Sequence, residues 1–407
     1  MSPSVQTHAE PAQRRTRAGV IAAVERRKSE GIRFEIPHAT VRVVDSATDI
    51  PAETRAGVFA GQAKDFRYAD VAARALTGQF EHRYIVLQDK RTGKTAVQPV
   101  FFVNQDILEG LPRGLHAALT WPRKFLPGWL RMRMLMVGCS AGDGALDCRD
   151  AWFVEALAEA LKIYAKKTRA SSILFKDFPA VYREALAPLE KHGYRRVPSM
   201  PACKLDFNFA SFEAYMKGIL GRKLRYKYIK LNKKAPIPFE VLTDVTPITG
   251  ELYELYRQTH ERSKMRFERL TPEFFAMLGR EMPDVARYFV WRVDGKIAAF
   301  ALCLIHEGTM YHLNIGFDYS ISFDLQLYYV TIRDLFQWAV DQGLKHYVTG
   351  QLNYDPKLHL KMTLDPLDLY ARHTNSLVNP IFKVALGYLQ PVRHDPTIRQ
   401  FPNFNEL

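Results

Sequence analysis

The sequence contains few cysteines and no long apolar run, and each absence excludes a class of protein. The cysteines are Cys139, Cys148, Cys203 and Cys303. They form no CxxC pair and have no histidine at metal-ligand spacing, so we expect reduced thiols in a cytosolic compartment rather than disulfides or a zinc site. The longest apolar run, 297–305, is far shorter than the roughly 20 residues of a membrane span. The polar N-terminus contains no apolar core typical of a secretory signal.

Acidic residues are too few to balance the basic ones, and the 407-residue chain carries a formal net charge of +14. This excess favours an anionic partner, namely a nucleic acid, a membrane surface or a phosphorylated ligand, with solubility alone as the alternative. Hydrophobic residues at 47% and charged residues at 25% are typical of a globular protein. The length predicts two or three domains.

Four elements occur twice in the same order along the chain. A helical pattern precedes a hairpin with a Gly-Lys turn, and the two hairpins begin at Arg83 and Arg287. A long amphipathic helix and a short strand follow later, at 152–175 and at 325–348. This repetition predicts duplicated α/β domains.

The first copy contains an insertion at about 105–149 in which aromatic residues alternate with cations. A bilayer interface favours this composition, and packing between domains is the alternative. The residues that we expect to meet a membrane are Trp121, Arg123, Phe125, Trp129 and Arg131.

A basic segment at 221–234 begins the second copy. It has seven cations in the thirteen residues from Arg222 and no acidic residue. Its apolar residues recur at helical spacing, which predicts a single buried stripe: Leu220, Leu224, Tyr228 and Leu231. Like charges this close cost a few tenths of a kcal/mol per pair. We therefore expect the helix to meet lipid headgroups, cofactor phosphates or RNA, with a solvated face as the alternative.

Three stretches of the second copy occur in a familiar order: GRKLRYKYIKLNKK, YHLNIGFDYS and KHYVTGQ. With the hairpin and long helix between them, they resemble the GNAT acyltransferase superfamily, in its double-domain branch of Fem-type peptidyltransferases and Fem-like N-acyltransferases. The resemblance covers about 205–375 directly and 45–200 through the internal repeat. It implies an α/β (α+β) fold of tandem GNAT-like domains, each with a mixed, largely antiparallel sheet flanked by helices.

The expected domain organisation follows from the repeat and from prolines at 198 and 201. We expect a basic lead-in (1–40), a first GNAT-like domain (41–200), a second (201–375) and a C-terminal extension (376–407).

The resemblance implies an enzyme that moves an acyl group from a thioester to an amine, with acyl-CoA as co-substrate and no metal. Some members of the branch acylate lipid amines in bacterial envelopes, including the bacterial ceramide synthases. The aromatic insertion and the basic helix fit such a bilayer-resident acceptor. The expected function is therefore transfer of a long-chain acyl group to a lipid amine such as a sphingoid base, by a cytoplasmic protein peripheral on an anionic inner membrane surface.

Two departures from the family pattern keep other functions open. No Q/R-x-x-G-x-G/A phosphate loop precedes the helix at 325, so a non-catalytic membrane- or nucleic-acid-binding protein on a GNAT scaffold is one alternative. An aminoacyl-tRNA-dependent peptidyltransferase acting on a peptidoglycan precursor is the other. The sequence has no charged helical-hairpin arm of the kind that Fem peptidyltransferases use near tRNA, and only this alternative requires a nucleic acid.

Acyl transfer to an amine needs a base for the ammonium, a donor for the oxyanion and a proton for the thiolate. His312 is the expected base because its ordinary pKa lies near neutrality, and a structural histidine is the alternative. Strand alternation predicts that Asn314 shares its face and orients the substrate or caps the sheet. Asp318 and Tyr319 follow in a turn, where Asp318 could meet the amine or simply form the turn. Tyr319 is the candidate proton donor.

The donor and acceptor are assigned to three further sites. In place of a glycine loop, we expect the donor to be held by the basic segment, through Arg222, Lys223, Arg225 and Lys227. Asp143, in a Gly-rich acidic loop, could hold an amine, although capping of the next helix is favoured for that loop. His359 alternates with leucines and could face the same cleft.

Overall fold

The computed structural model describes residues 31–106, 131–263, 266–388, 390, 392 and 395–407. The predicted membrane residues Trp121, Arg123, Phe125 and Trp129 lie outside these ranges, and so does the basic lead-in up to residue 30. Arg131 begins a strand, but its side chain is not described. Among the described helices, none combines the length and apolar composition needed to cross a bilayer.

The strands, in chain order, are β1 (Ile32–Glu35), β2 (Ala39–Val44), β3 (Glu81–Asp89), β4 (Thr95–Asp106), β5 (Arg131–Val137), β6 (Ser172–Pro179), β7 (Arg195–Pro198), β8 (Ala202–Asp206), β9 (Phe239–Leu242), β10 (Ala286–Val293), β11 (Lys296–His306), β12 (Thr309–Phe317), β13 (His346–Thr349), β14 (Thr363–Asp365) and β15 (Leu367–His373). The α-helices are α1 (Ala52–Gly57), α2 (Phe66–Ala75), α3 (Ala151–Lys167), α4 (Arg183–Leu186), α5 (Phe212–Gly218), α6 (Arg222–Leu231), α7 (Thr249–Arg262), α8 (Pro272–Glu281), α9 (Ser322–Leu325), α10 (Leu327–Asp341), α11 (Tyr354–His359) and α12 (Asn379–Tyr388).

The strands form two sheets of similar design. The first has eight strands in the order β1-β2-β3-β4-β5-β6-β15-β7, and the second has seven in the order β9-β10-β11-β12-β13-β8-β14. Each contains one parallel pair, β5 with β6 and β12 with β13, among antiparallel neighbours. The predicted fold class, with tandem mixed and largely antiparallel sheets, is confirmed.

The duplicated elements predicted from the sequence occupy equivalent places in the two sheets. The hairpins are β3–β4 and β10–β11, preceded by α2 and α8. The local sequence explains where helix α8 begins. The Thr271 hydroxyl accepts a hydrogen bond from the Phe274 N–H, and Pro272 occupies the first turn of the helix. The longest apolar run lies in β11, a central strand buried on both faces along most of its length.

A strand from late in the chain completes the first sheet. β15 inserts between β6 and β7 of the first sheet, although it lies within the predicted second domain. β8, the first strand after the predicted boundary near residue 200, takes the equivalent place between β13 and β14. The domain limits remain a prediction, and the first sheet is incomplete without this late segment.

A shared core joins the two units. Tyr68 and Phe101 of the first unit pack in one cluster with Phe274 and Phe300 of the second. Around this core, Arg67 forms an ion pair with Asp284 across the two units at 2.8 Å. This arrangement brings the carboxyl ends of β6 and β13 toward the same cleft.

Candidate functional site

The parallel strands β12 and β13 separate in the second unit. They pair from Thr309 and His346 as far as His312 and Thr349, where β13 ends. β12 continues to Phe317, so its edge beyond His312 is no longer paired with β13. Backbone N–H groups at such an opening can stabilise an oxyanion if a thioester carbonyl enters it.

A β-bulge lies at this opening. Cys303 pairs with His312 and Leu302 with Asn314, which leaves Leu313 as an extra residue. The alternation of side chains changes phase there, because Leu313 packs in the shared core whereas Ile315 packs in the core of the second unit. His312 and Asn314 therefore point to opposite faces, and the prediction of a shared face is wrong.

His312 is buried in the core of the second unit. Its Nδ1 lies 2.6 Å from the Tyr347 hydroxyl. Its Nε2 has no hydrogen-bond partner within 3.5 Å among the described residues, although the Asn314 backbone lies near enough to favour the protonated ring. Burial and the charge of Lys357 lower the pKa of His312 to about 4. The ring is thus neutral at neutral pH, with one nitrogen free to accept a proton.

Lys357 is a buried cation beside this histidine that the sequence reading missed. Its ammonium donates to the carbonyl oxygens of Gly350 and Leu352 in the loop after β13. Burial lowers the pKa of Lys357 to about 8. The preceding Asn-Tyr-Asp-Pro could have indicated a helix here, since Asn is a common cap and Pro favours the first turn.

His359 is not part of this cluster. The sequence reading relied on alternation in this segment, but residues 354–359 form helix α11. The His359 side chain is mostly exposed and lies 3.7 Å from Asp355, one turn earlier. The helical period buries Lys357 instead.

Gly316 lets helix α7 approach β12 closely. A Cβ at this position would lie 2.8 Å from the backbone nitrogen of Tyr256 and 2.3 Å from the Phe300 ring. The glycine in YHLNIGFDYS is therefore required by this contact, which holds α7 against the strand that carries His312.

The turn after β12 replaces a phosphate loop. The Asp318 carboxylate accepts hydrogen bonds from the N–H and hydroxyl of Ser320, which is ordinary turn chemistry. The Tyr319 N–H donates to Gln258, and the Arg262 guanidinium lies 3.9 Å from the Tyr319 ring centroid. The predicted absence of a glycine loop agrees with a short helix, α9, and a left-handed Gln326 before α10.

The basic segment forms α6, and its predicted apolar stripe is buried. Its cations approach the start of α10: Lys227 Nζ lies 3.6 Å from the Tyr329 ring centroid, and Lys234 donates to the Asp324 carbonyl. Burial and the charge of Lys223 lower the pKa of Lys227. Within the described chain, none of the cations from Arg222 to Lys234 forms an ion pair.

Arg222, Lys223 and Lys230 of α6 are exposed, whereas Arg225 and Lys227 are half-buried. Arg225 donates to the Leu220 carbonyl, and the Arg222 guanidinium lies 5.7 Å from the Tyr226 ring centroid. Their charge is available to an anion beside the amino end of α10, where helix N–H groups also favour negative charge.

A buried charged cluster ends β6 in the first unit. The Lys176 ammonium lies 2.9 Å from the Asp177 carboxylate, which also accepts hydrogen bonds from Ser199 and from Gln351 of the second unit. Although burial opposes both shifts, these partners raise the pKa of Lys176 and lower that of Asp177. Glu268 is close enough to interact, and burial raises its pKa despite the charge of Lys176.

This cluster adjoins the loop that Lys357 holds, because Gln351 belongs to that loop. In the sequence, the Lys-Asp pair inside the otherwise apolar strand SILFKDFP indicates buried charges. This indication was not used in the sequence-based predictions. The two carboxylates and one ammonium, Asp177, Glu268 and Lys176, therefore lie near the carboxyl ends of β6 and β13.

The Gly-rich loop of the first unit has mixed roles. The Asp143 carboxylate forms an ion pair with Lys64 at 3.0 Å and remains partly exposed near the Lys176 cluster. Asp147 is structural, since it accepts the N–H groups of Phe59 and Val97. Asp150 occupies the position just before α3 without a capping hydrogen bond from its side chain, and its carboxylate forms an ion pair with Lys94.

A further cavity lies elsewhere in the first unit. It has a volume of about 470 Å³, and its lining includes Arg74, His82 and Arg83. His82 Nε2 lies 2.9 Å from the Ser140 hydroxyl, and burial with the charge of Arg83 lowers the pKa of His82 to about 4. His312 does not line this cavity.

The described residues contain no group of three or more His, Cys, Asp and Glu placed to hold a metal ion. The four cysteines are free, and three of them are buried.

Comparisons with known proteins identify the class to which this arrangement belongs. Residues 221–357 match the model of the acetyltransferase (GNAT) domain. FemX has a similar structure, with a TM-score of 0.50, 13% identity, and coverage of 78% of this chain and 94% of FemX. The chain therefore contains a GNAT-type acetyltransferase domain at 221–357 and has the double-domain fold seen in FemX.

Weaker structural matches accompany FemX. The structure of L-PGS from Bacillus licheniformis gives a TM-score of 0.47 at 14% identity, covering 80% of this chain and 93% of that one. A tandem GNAT protein from the clavulanic acid biosynthesis pathway gives 0.42 at 11% identity, covering 82% and 99%. No curated protein matches the chain.

Proposed function

We propose that this protein is an N-acyltransferase that moves a long-chain acyl group from an acyl thioester to the amino group of a lipid at a membrane surface. The acceptor is proposed to be a lipid amine such as a sphingoid base, and the donor acyl-CoA. The protein would work on the cytoplasmic side of an inner membrane as a peripheral protein.

The observation that carries the amine acceptor is the buried cluster beside the β12–β13 opening. Buried Asp177 is paired with Lys176, the partly exposed Asp143 is paired with Lys64, and Glu268 forms no ion pair among the described residues. Burial disfavours the charged form of Glu268, although the charges of Lys176 and His260 oppose this effect. An ammonium bound here would offset that cost, since an opposite charge stabilises a buried carboxylate.

The proposed chemistry needs a proton acceptor and a proton donor but no covalent intermediate. The amine nitrogen attacks the thioester carbon, the C–N bond forms, and the C–S bond then breaks. The proton of the nitrogen passes to Nε2 of His312, and the leaving thiolate takes a proton from Tyr319. Backbone N–H groups on the free edge of β12 would stabilise the oxyanion.

The remaining predicted residues take supporting roles in this proposal. Asp318 would hold the turn that carries Tyr319. Asn314 would orient the acceptor from the opposite face of β12. The lipid part of the proposal is supported by the net charge of +14 and by the acid-free cationic helix α6.

The direct test is release of free thiol from long-chain acyl-CoA by the purified protein. We expect release with a sphingoid base in detergent, and weaker or no release with a lysophospholipid or an amino sugar. Loss of activity after RNase treatment would favour the tRNA-dependent alternative. Absence of thiol release with every amine would favour a non-catalytic role.

Donor binding by α6 is tested by removing its charge. In the triple variant Arg222→Gln, Lys223→Gln and Lys227→Gln, KM for acyl-CoA should rise roughly 10- to 100-fold at low salt, because charge-assisted contacts to phosphate are lost. An acyl N-acetylcysteamine thioester, which lacks the phosphates, should show little change in KM.

The control for this variant is Lys217→Gln. Lys217 is exposed on α5 and pairs with Glu213, so its removal should leave both KM values unchanged. Equal effects of the triple variant on the two thioesters would show that α6 does not hold the phosphates.

A further inference from the structure

Helix α12 presents an apolar stripe to solvent. The stripe consists of Ile381 (73% exposed), Val384 (56%) and Tyr388 (72%) on the helix and Leu377 (87%) in the turn just before it. The spacing of three and four residues puts the three helical members on one side of the helix. Exposed side chains of this size concentrated on one short helix are a contact surface rather than a scattered background.

The helix is firmly attached, so the stripe is not the product of a frayed end. The Asn379 amide donates to the Gly193 carbonyl and accepts the His373 N–H, which ties the first turn to the first sheet. Arg195 donates to the Lys383 carbonyl at 2.7 Å. The opposite side of α12 packs on β15 and β7.

Cations outnumber acidic groups around the stripe. No acidic residue occurs from 374 to 394. Lys191 is exposed in the neighbouring turn beside an exposed Glu190, Arg195 and Lys383 are half-buried, and the Glu155 carboxylate is paired with His192. An apolar stripe bordered by cations matches an anionic bilayer, where acyl chains receive the stripe and headgroups receive the cations.

The area of the stripe disfavours a stable protein partner. The exposed fractions amount to about three fully exposed large side chains, which is less than the roughly 800 Å² that each partner of a stable complex buries. Shallow insertion into a headgroup region has no such area requirement, because affinity grows with each apolar group and each cation that enters.

We propose that the α12 stripe inserts into the surface of an anionic phospholipid bilayer and docks the enzyme there. This proposal rests on the proposed lipid acceptor, and it assigns the membrane contact to the end of the chain rather than to the aromatic insertion. α12 covers the edge strand β7 beside β15, the strand that completes the first sheet. Docking through α12 therefore orients the whole first unit relative to the bilayer.

The test is flotation with vesicles of phosphatidylcholine mixed with phosphatidylglycerol, and with vesicles of phosphatidylcholine alone. The full-length protein should float with the mixed vesicles, and added salt should weaken this binding. The double variant Ile381→Asp and Tyr388→Asp should lose about 100-fold or more in partition coefficient, because two apolar side chains are replaced by anions.

The matched control is Val181→Asp. Val181 is 63% exposed on a different surface of the first unit, so this variant should float like the unmodified protein. Unchanged flotation of the α12 double variant would overturn the proposal. So would equal binding to both vesicle types, or an oligomer of the unmodified protein that the double variant dissociates in light scattering.

A soluble acceptor and a membrane-embedded acceptor distinguish loss of membrane docking from loss of acyl transfer. With a short-chain amine soluble in water, the α12 double variant should release thiol at the normal rate, since α12 carries no proposed catalytic residue. With the acceptor embedded in mixed vesicles, its rate should fall in proportion to the lost binding. A normal rate on embedded acceptor would also overturn the docking role.

Discussion

Asp177→Ala is expected to lower the free energy of unfolding by about 3–5 kcal/mol, because it leaves the buried Lys176 ammonium without its partner. Urea denaturation with linear extrapolation measures this change. An exposed pair provides the matched control: Glu213→Ala removes the partner of Lys217 on α5 and should cost well under about 1 kcal/mol.

The double variant Lys176→Met and Asp177→Asn distinguishes a broken pair from a general loss of packing. It removes both charges, and Asn tolerates the left-handed backbone of residue 177 (φ 53°), so this variant should recover most of the stability while lacking the proposed amine site. If it were as unstable as Asp177→Ala, the unpaired ammonium would not be the cause.

The Lys176–Asp177 pair also predicts how the free energy of unfolding changes with pH. The pKa of Asp177 is lowered in the folded state, so its contribution is present above the unfolded pKa of roughly 4 and is lost as pH falls through the folded value. Asp177→Ala should therefore differ most from the unmodified protein near neutral pH and converge with it in acid.

His312→Ala is expected to lower kcat by roughly 10²- to 10⁴-fold, the range typical of a missing general base. KM for the amine should change little, because the ring is buried and has no proposed part in binding. Tyr347→Phe should have a smaller effect, since Tyr347 only fixes the imidazole through Nδ1.

The pH profile gives this assignment a second readout. His312 has a pKa lowered to about 4, so protonation of this base should inactivate the enzyme near that pH and not near its ordinary value of about 6.5. An acid limb at about 6.5, or an unchanged kcat in His312→Ala, would contradict the assignment. Glu268, whose pKa is raised, would then be the next candidate base.

Titration of His312 also affects stability. The folded state favours the neutral ring, so as pH falls from the unfolded pKa toward about 4 the unfolded chain binds the proton first. Stability should therefore decline across this window in the unmodified protein and decline less in His312→Phe, which has no group to protonate.

Local patterns predicted most of the elements. The Gly-Lys hairpins, the amphipathic helices and the buried stripe of α6 all agree with the structure, because they depend on residues only a few positions apart. The resemblance to the double-domain GNAT branch is likewise confirmed by the family match and the fold.

The sequence-based predictions that were wrong or incomplete depend on contacts between residues that are distant in sequence. One extra residue at Leu313 reversed the faces expected for His312 and Asn314, and no residue type signals such a bulge. At 354–359 a helix replaced the assumed alternation, so His359 is exposed and Lys357 is buried. Within the predicted insertion at 105–149, residues 131–137 form β5, which pairs with β4 and β6 of the first sheet. The membrane role of this segment remains a prediction.

The sequence by itself determined the order of the elements, the duplicated design and the cationic helix, since periodicity and charge depend only on residues that are close together in the chain. Only the tertiary structure decided which charges are buried together, because Asp177 and Gln351 meet through packing of two units. It also decided that β15 completes the first sheet and that α12 faces solvent. Burial, and with it the pKa of His312, arises from segments far apart in sequence.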